Sequence, residues 1–108
     1  MATNDYPTDE EVAQVKQWEF TTPESFVEFM AFVKSIGNYW PTDSFGWQQD
    51  GRKFSVSTGG WSGNEEILGA MQENWTFWAV CWKKHERGGH YEFELPDPAV
   101  YFKKARLA

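Results

Sequence analysis

The segment Ser57-Thr58-Gly59-Gly60-Trp61-Ser62-Gly63-Asn64-Glu65-Glu66 leaves a strand-like run, passes three glycines and opens a helix. Small residues in such a turn remove the Cβ atoms that hold a ligand away from the main chain. The helix that follows leaves its first N–H groups unpaired and pointing the same way, which suits an anion. Ser57, Thr58, Gly60, Trp61, Ser62 and Asn64 are therefore candidate ligand-binding residues, supplying donors and one aromatic wall. The run Lys83-Lys84-His85-Glu86-Arg87-Gly88-Gly89-His90 is the chain's concentrated positive patch, and Arg87 and His90 are candidates to meet the ligand's charge. If the two stretches adjoin, they form an anion pocket, with Trp61 or Trp82 as a stacking surface for a base or ring. The plainer alternative is a hydrated hairpin loop beside glycines that serve only the bend.

Other chemistry is weaker. Gly60-Trp61-Ser62-Gly63-Asn64 has the strand–turn–helix setting of a serine-nucleophile elbow, but Asn64 stands where a small residue is needed. His85 and His90 fall in or beside a hairpin turn with no evident acid to orient either. Ser62 is expected to cap the following helix, so a small serine hydrolase ranks third. Cys81, His85 and His90 lack the paired spacing of a zinc motif, and Cys81 reads as a small core residue. No metal, cofactor or catalytic residue is expected.

The 108 residues fit one domain, residues 1–108, with a single core. Seven Trp, nine Phe and four Tyr are an unusual aromatic load for this length, enough to fill a core and leave rings for a binding face. Nine acidic residues against Lys16 and Lys34 make Met1–Asp50 strongly negative, whereas the rest is nearly balanced. General nucleic-acid binding is disfavoured, since phosphate affinity needs many Lys and Arg contacts. An acidic half suits a basic protein partner, or simply a hydrated helix surface. One cysteine allows no internal disulfide and fits a reducing cytoplasm. Neither a leader pattern nor a run of about 18 apolar residues is seen, so no membrane association is expected.

The elements that must hold these stretches follow from local signals. Thr8-Asp9-Glu10-Glu11 predicts a capping box and a helix to about Trp18, with Val12, Val15 and Trp18 on one edge. Thr22-Pro23-Glu24 starts a second helix that Gly37 ends; its apolar arc is wide enough to be contacted from two sides. Residues 38–44 read as a packed loop. Phe45–Gln49 and Arg52–Thr58 read as strands joined by Asp50-Gly51, with Phe54 and Val56 pointing inward. Asn64–Asn74 reads as a helix in which Gly69 implies close backbone packing. Trp75–Trp82 is apolar at both parities and reads as a central strand, with Tyr91, Phe93 and Leu95 on a half-wet partner strand. Asp97-Pro98 opens a terminal helix carrying Val100, Tyr101 and Phe102. The expected fold is α+β: a four-stranded antiparallel sheet of two hairpins, helices mainly on one face, in the order ααββαββα.

Thr58-Gly59-Gly60-Trp61-Ser62-Gly63-Asn64-Glu65-Glu66-Ile67, with Gln72-Glu73-Asn74, Phe77-Trp78, Cys81-Trp82 and Arg87-Gly88-Gly89-His90-Tyr91-Glu92-Phe93-Glu94, resembles a group of small uncharacterised proteins of bacteriophage and bacterial genomes. The resemblance covers about residues 54–95. It implies a phage-type accessory protein acting in the cytoplasm of a host bacterial cell, against host defence, and implies no reaction.

Two functions follow as expectations. The first is a non-enzymatic binding protein holding an anionic small molecule, such as a nucleotide signal, between loop 57–64 and turn 83–90. The alternative is a protein-interaction module that inhibits a host protein through an acidic or Trp-rich surface. A two-sided apolar strand at Trp75–Trp82 is also compatible with a homodimer.

Overall fold

A computed structural model describes residues 7–37, 46–59 and 62–97. Its elements are α1 (Asp9–Gln17), α2 (Pro23–Ile36), β1 (Trp47–Asp50), β2 (Lys53–Ser57), α3 (Ser62–Glu73), α4 (Trp75–Cys81), β3 (Trp82–Glu86) and β4 (His90–Glu94). The fold is α+β, with a four-stranded antiparallel sheet built from two hairpins in the spatial order β1-β2-β4-β3. From the first helix to the last strand the elements follow the expected order, with one helix more, α4, between α3 and β3. The loop expected at residues 38–44, Phe45 at the expected start of the first strand, Gly60 and Trp61, and the terminal helix expected after Asp97 lie outside the described residues.

Both N-terminal helices begin where their caps dictate. The Thr8 hydroxyl accepts from the Glu11 N–H at 3.0 Å, and Glu11 accepts from the Thr8 N–H at 2.9 Å. Thr22 and Ser25 make the same reciprocal pair across Pro23, the first residue of α2. Phe26, Phe29, Met30, Val33 and Ile36 of α2 are buried, and Phe32 is half-buried against Trp18, so two flanks are covered. Val27, 56% exposed, lies outside that arc.

One cluster of buried residues joins Val15, the α2 face, Phe54 and Val56 of β2, Ile67, Leu68 and Met71 of α3, Phe77 and Cys81 of α4, and Phe93 of β4. Phe77 is its hub, within 5.9 Å of the Phe20, Phe29 and Phe93 ring centroids. Register then sorts the sheet's two sides. Phe54 pairs with Phe93 and Val56 with Tyr91 on the core side. Ser55 pairs with Glu92 and Ser57 with His90 on the other, which is polar.

Three local expectations are corrected. Trp75–Trp82 is not a central strand: Trp75–Cys81 is helical, and only Trp82 starts β3, an edge strand exposed along its whole length. The cause is Asn74, whose side-chain oxygen accepts from the Phe77 N–H at 3.2 Å and whose carbonyl accepts from the Trp78 N–H at 3.0 Å. That cap outweighs the strand preference of the aromatics. The two-sided strand that suggested a homodimer is therefore absent. The first hairpin turns at Gly51-Arg52, since Asp50 pairs with Lys53. Gly51 alone takes positive φ, +61°, the pattern of a type II′ turn. Lastly, a Cβ at Gly69 would meet nothing within 4 Å, so no backbone packs closely there. Among the described residues, no helix is long and apolar enough to cross a membrane.

Candidate functional site

The two stretches singled out in the sequence meet. Ser57, the last residue of β2, lies opposite His90, the first of β4, and the Thr58 N–H continues the ladder by donating to the Gly89 carbonyl at 3.0 Å. The β3–β4 turn makes this approach by placing Gly88 and Gly89 at φ +87° and +82°. A Cβ on Gly89 would stand 2.3 Å from the Thr58 hydroxyl oxygen, so only glycine fits.

This junction is closed. Thr58 and Asn64 are fully buried, and the Asn64 amide donates to the Thr58 carbonyl at 3.3 Å, tying α3 back to the end of β2. Its Oδ1 is buried with no hydrogen-bond partner among the described residues. The Thr58 N–H is spent on Gly89 and the Asn64 amide on the loop itself. Of the residues expected to bind a ligand, Thr58 and Asn64 are thus buried with these groups already bonded, and Ser62 is the exposed first residue of α3. Ser57, Arg87 and His90 remain at the rim, with Arg87 exposed.

His90 is the centre of the polar groups at that rim. Its Nδ1 lies 2.7 Å from the Ser57 hydroxyl and its Nε2 2.9 Å from the Ser55 hydroxyl. Glu92 Oε2 is 3.6 Å from the same Nε2, and Glu86 lies directly across the β3–β4 ladder from His90. Lys84, opposite Glu92, forms an ion pair with Glu86 at 3.2 Å. That hydrogen bond and charge, with the charge of Glu92 added, raise the Lys84 pKa above its ordinary value. Sequence reading found His90 but missed Ser55, Glu86 and Glu92. Their shared parity with Ser57 and His90 was visible, but their proximity depends on which strands pair.

Two carboxylates beside His90 oppose an anion at this spot, and Lys84 is already paired with one of them, so among the described residues of the turn the charge left to meet an anion is Arg87. Ser57–His90–Glu92 has the residue types of a hydrolytic triad. However, β2 and β4 are the inner strands, and their backbone N–H groups serve the ladders on both sides. Both nitrogens of His90 are engaged by Ser55 and Ser57, not by Ser62. A shallow depression of about 410 Å³ begins at Ser55 and Glu92 and runs away from the junction toward Asp50, Lys53 and Glu94.

Cys81, His85 and His90 do not converge. Cys81 is in the core, where burial pushes its thiol up to about 12, Lys83 opposing weakly. His85 stacks on Tyr91 at 4.1 Å between centroids, and so lies on the opposite side of the sheet from His90.

A second surface became visible only with α4. Trp75, Trp78 and Trp82 recur at helical spacing, i, i+3 and i+7, along one side of α4 into β3. Trp75 is 81% exposed and Trp82 42%; Trp78 stacks on Trp82 with centroids 6.0 Å apart and on Phe93 edge-on at 5.6 Å. The inner end of the stripe is thereby anchored in the core while the outer rings face solvent. Comparison with protein-family models, curated proteins and solved structures finds no match.

Proposed function

We propose that this is a non-enzymatic, phage-type accessory protein that binds a host bacterial protein through the tryptophan stripe of α4 and β3. The observation that carries the reading is the 81% exposure of Trp75 beside the stacked pair Trp78–Trp82. An indole as exposed as Trp75 costs solubility while adding little to the fold, and Trp is among the residue types that most often dominate interface energy. The acidic first turn of α1, Asp9-Glu10-Glu11, offers a charged element for steering. Edge strand β3 is poorly suited to recruiting a partner strand, because it carries two lysines and a register shift between Trp82 and Lys84. Side-chain recognition by the indoles is the remaining mode.

The test is capture from a bacterial extract by wild type and by the double variant Trp75→Ser/Trp82→Ser. A partner held by the wild type and lost by the variant supports the reading; equal recovery refutes it.

The second reading keeps an anionic small molecule, such as a nucleotide signal, at the rim formed by Ser57, His90 and Arg87. It is favoured by the contact between Thr58 and Gly89, which puts the serine hydroxyl and the basic turn side by side. Thermal-shift measurements with a panel of nucleotides, on wild type and Arg87→Ala, test it. Stabilisation that Arg87→Ala loses supports it, and no stabilisation of the wild type counts against it.

A further inference from the structure

We infer that Glu86, His90 and Glu92 form a binding site for a divalent transition-metal ion, with Zn²⁺ as the best match. One potential ligand atom from each residue lies within 4.8 Å of the other two. A tetrahedral Zn²⁺ with nitrogen and oxygen ligands at about 2.0–2.2 Å holds those atoms about 3.4 Å apart. His90 Nε2 and Glu92 Oε2, at 3.6 Å, already stand at nearly that separation. Only Glu86 has to swing inward. Its present hold is an exposed ion pair with Lys84, the kind of contact that water replaces at little cost.

The imidazole is also prepared from behind. Ser57 Oγ sits 2.7 Å from Nδ1, so in the tautomer that carries its proton on Nδ1 the serine oxygen accepts it and Nε2 offers its lone pair to a cation. A hydrogen-bonded far nitrogen is the usual partner of a metal-bound histidine, since it fixes both tautomer and ring angle. Ser55 Oγ, 2.9 Å from Nε2, is the group that the cation displaces from the nitrogen, and it remains close enough to bond to a metal-bound water. One imidazole and two carboxylates suit borderline first-row ions better than Ca²⁺ or Mg²⁺, which prefer all-oxygen shells. The ligands come from adjacent antiparallel strands, with Glu86 opposite His90 and Glu92 two positions along β4. The site is therefore built on the sheet, and three protein ligands leave a coordination position open to solvent or to a partner's side chain.

Calorimetric titration of the full chain with ZnCl₂ tests the inference. The expected result is uptake of one equivalent, lost or weakened at least tenfold in both His90→Ala and Glu92→Gln. Ser57→Ala, which changes only the support of the ring, should weaken it about tenfold. Circular dichroism and urea midpoints of the metal-free proteins establish that the variants fold. Absence of uptake by wild type, or equal uptake by wild type and His90→Ala, overturns the inference. So does uptake that His90→Ala retains and Glu92→Gln alone abolishes, since the histidine would then take no part.

Discussion

Alanine at Gly88 and at Gly89 should behave very differently, although the two glycines are adjacent and both have positive φ, +87° and +82°. Each substitution forces an L-residue into left-handed backbone, at about 1–2 kcal/mol. At Gly88 nothing lies within 4 Å of the new Cβ, so that cost stands alone. At Gly89 the Cβ would be 2.3 Å from the hydroxyl oxygen of Thr58, a fully buried side chain with little room to retreat. Overpacking of this kind adds about 1–3 kcal/mol, so Gly89→Ala should cost about 2–5 kcal/mol in all. Urea unfolding followed by tryptophan fluorescence reads the difference as a midpoint about 1 M lower for Gly89→Ala than for Gly88→Ala, at slopes of about 2 kcal/mol/M. In a Thr58→Ala background the hydroxyl is gone, and the additional cost of Gly89→Ala should fall to that of Gly88→Ala. Equal costs for the two glycine variants, or no relief from Thr58→Ala, would refute the closed junction between the glycine-rich loop and the basic turn.

Gly69→Ala should stabilise the protein by about 0.5–1 kcal/mol, because it improves helix propensity in α3 where a Cβ meets nothing, and thermal melting should show a rise of a few degrees. Asn74→Ala should destabilise by about 2–4 kcal/mol in urea: it removes the α4 cap and the amide's bonds to the Val15 and Trp18 carbonyls, at 2.9 and 3.1 Å. Cys81 should resist a disulfide reagent at pH 8 until the protein is unfolded, since burial holds the thiol near 12. That folded value exceeds the ordinary 9.0, so the native state keeps its proton longer than the unfolded chain. Stability should therefore be unaffected by this group below about pH 9 and fall as pH rises from there toward 12, an effect that Cys81→Ala should remove from alkaline melting curves. Trp75→Ser, at an exposed position, should change stability by about 0.5 kcal/mol or less while affecting partner capture.

The parts of the fold governed by local signals were legible from residue order. Thr8 with Glu11, Thr22 with Pro23, and the alternation of Phe54 and Val56 each carry their structural outcome within a few positions. The loop–turn contact was open to inference only as a condition, because it depends on β2 pairing with β4. Trp75–Trp82 misled for a definite reason. Its bulky aromatics suit a strand, whereas the cap at Asn74 and the burial of Phe77 and Cys81, one helical turn apart, belong to a helix. Reading Asn74-Trp75-Thr76-Phe77 for a cap would have found α4 and, with it, the exposed stripe. The hydroxyl and carboxylate neighbours of His90 could not be found this way, since Ser55 lies 35 positions away and reaches it only across the sheet.

Hydroxyl-radical footprinting of the protein free and bound to the host partner it captures addresses the tryptophan stripe most directly. The account predicts strong labelling of Trp75 and Trp82 in the free protein and marked protection of both in the complex, with the residues around Arg87 little changed. Labelling of Trp75 that is the same in free and bound protein would contradict it.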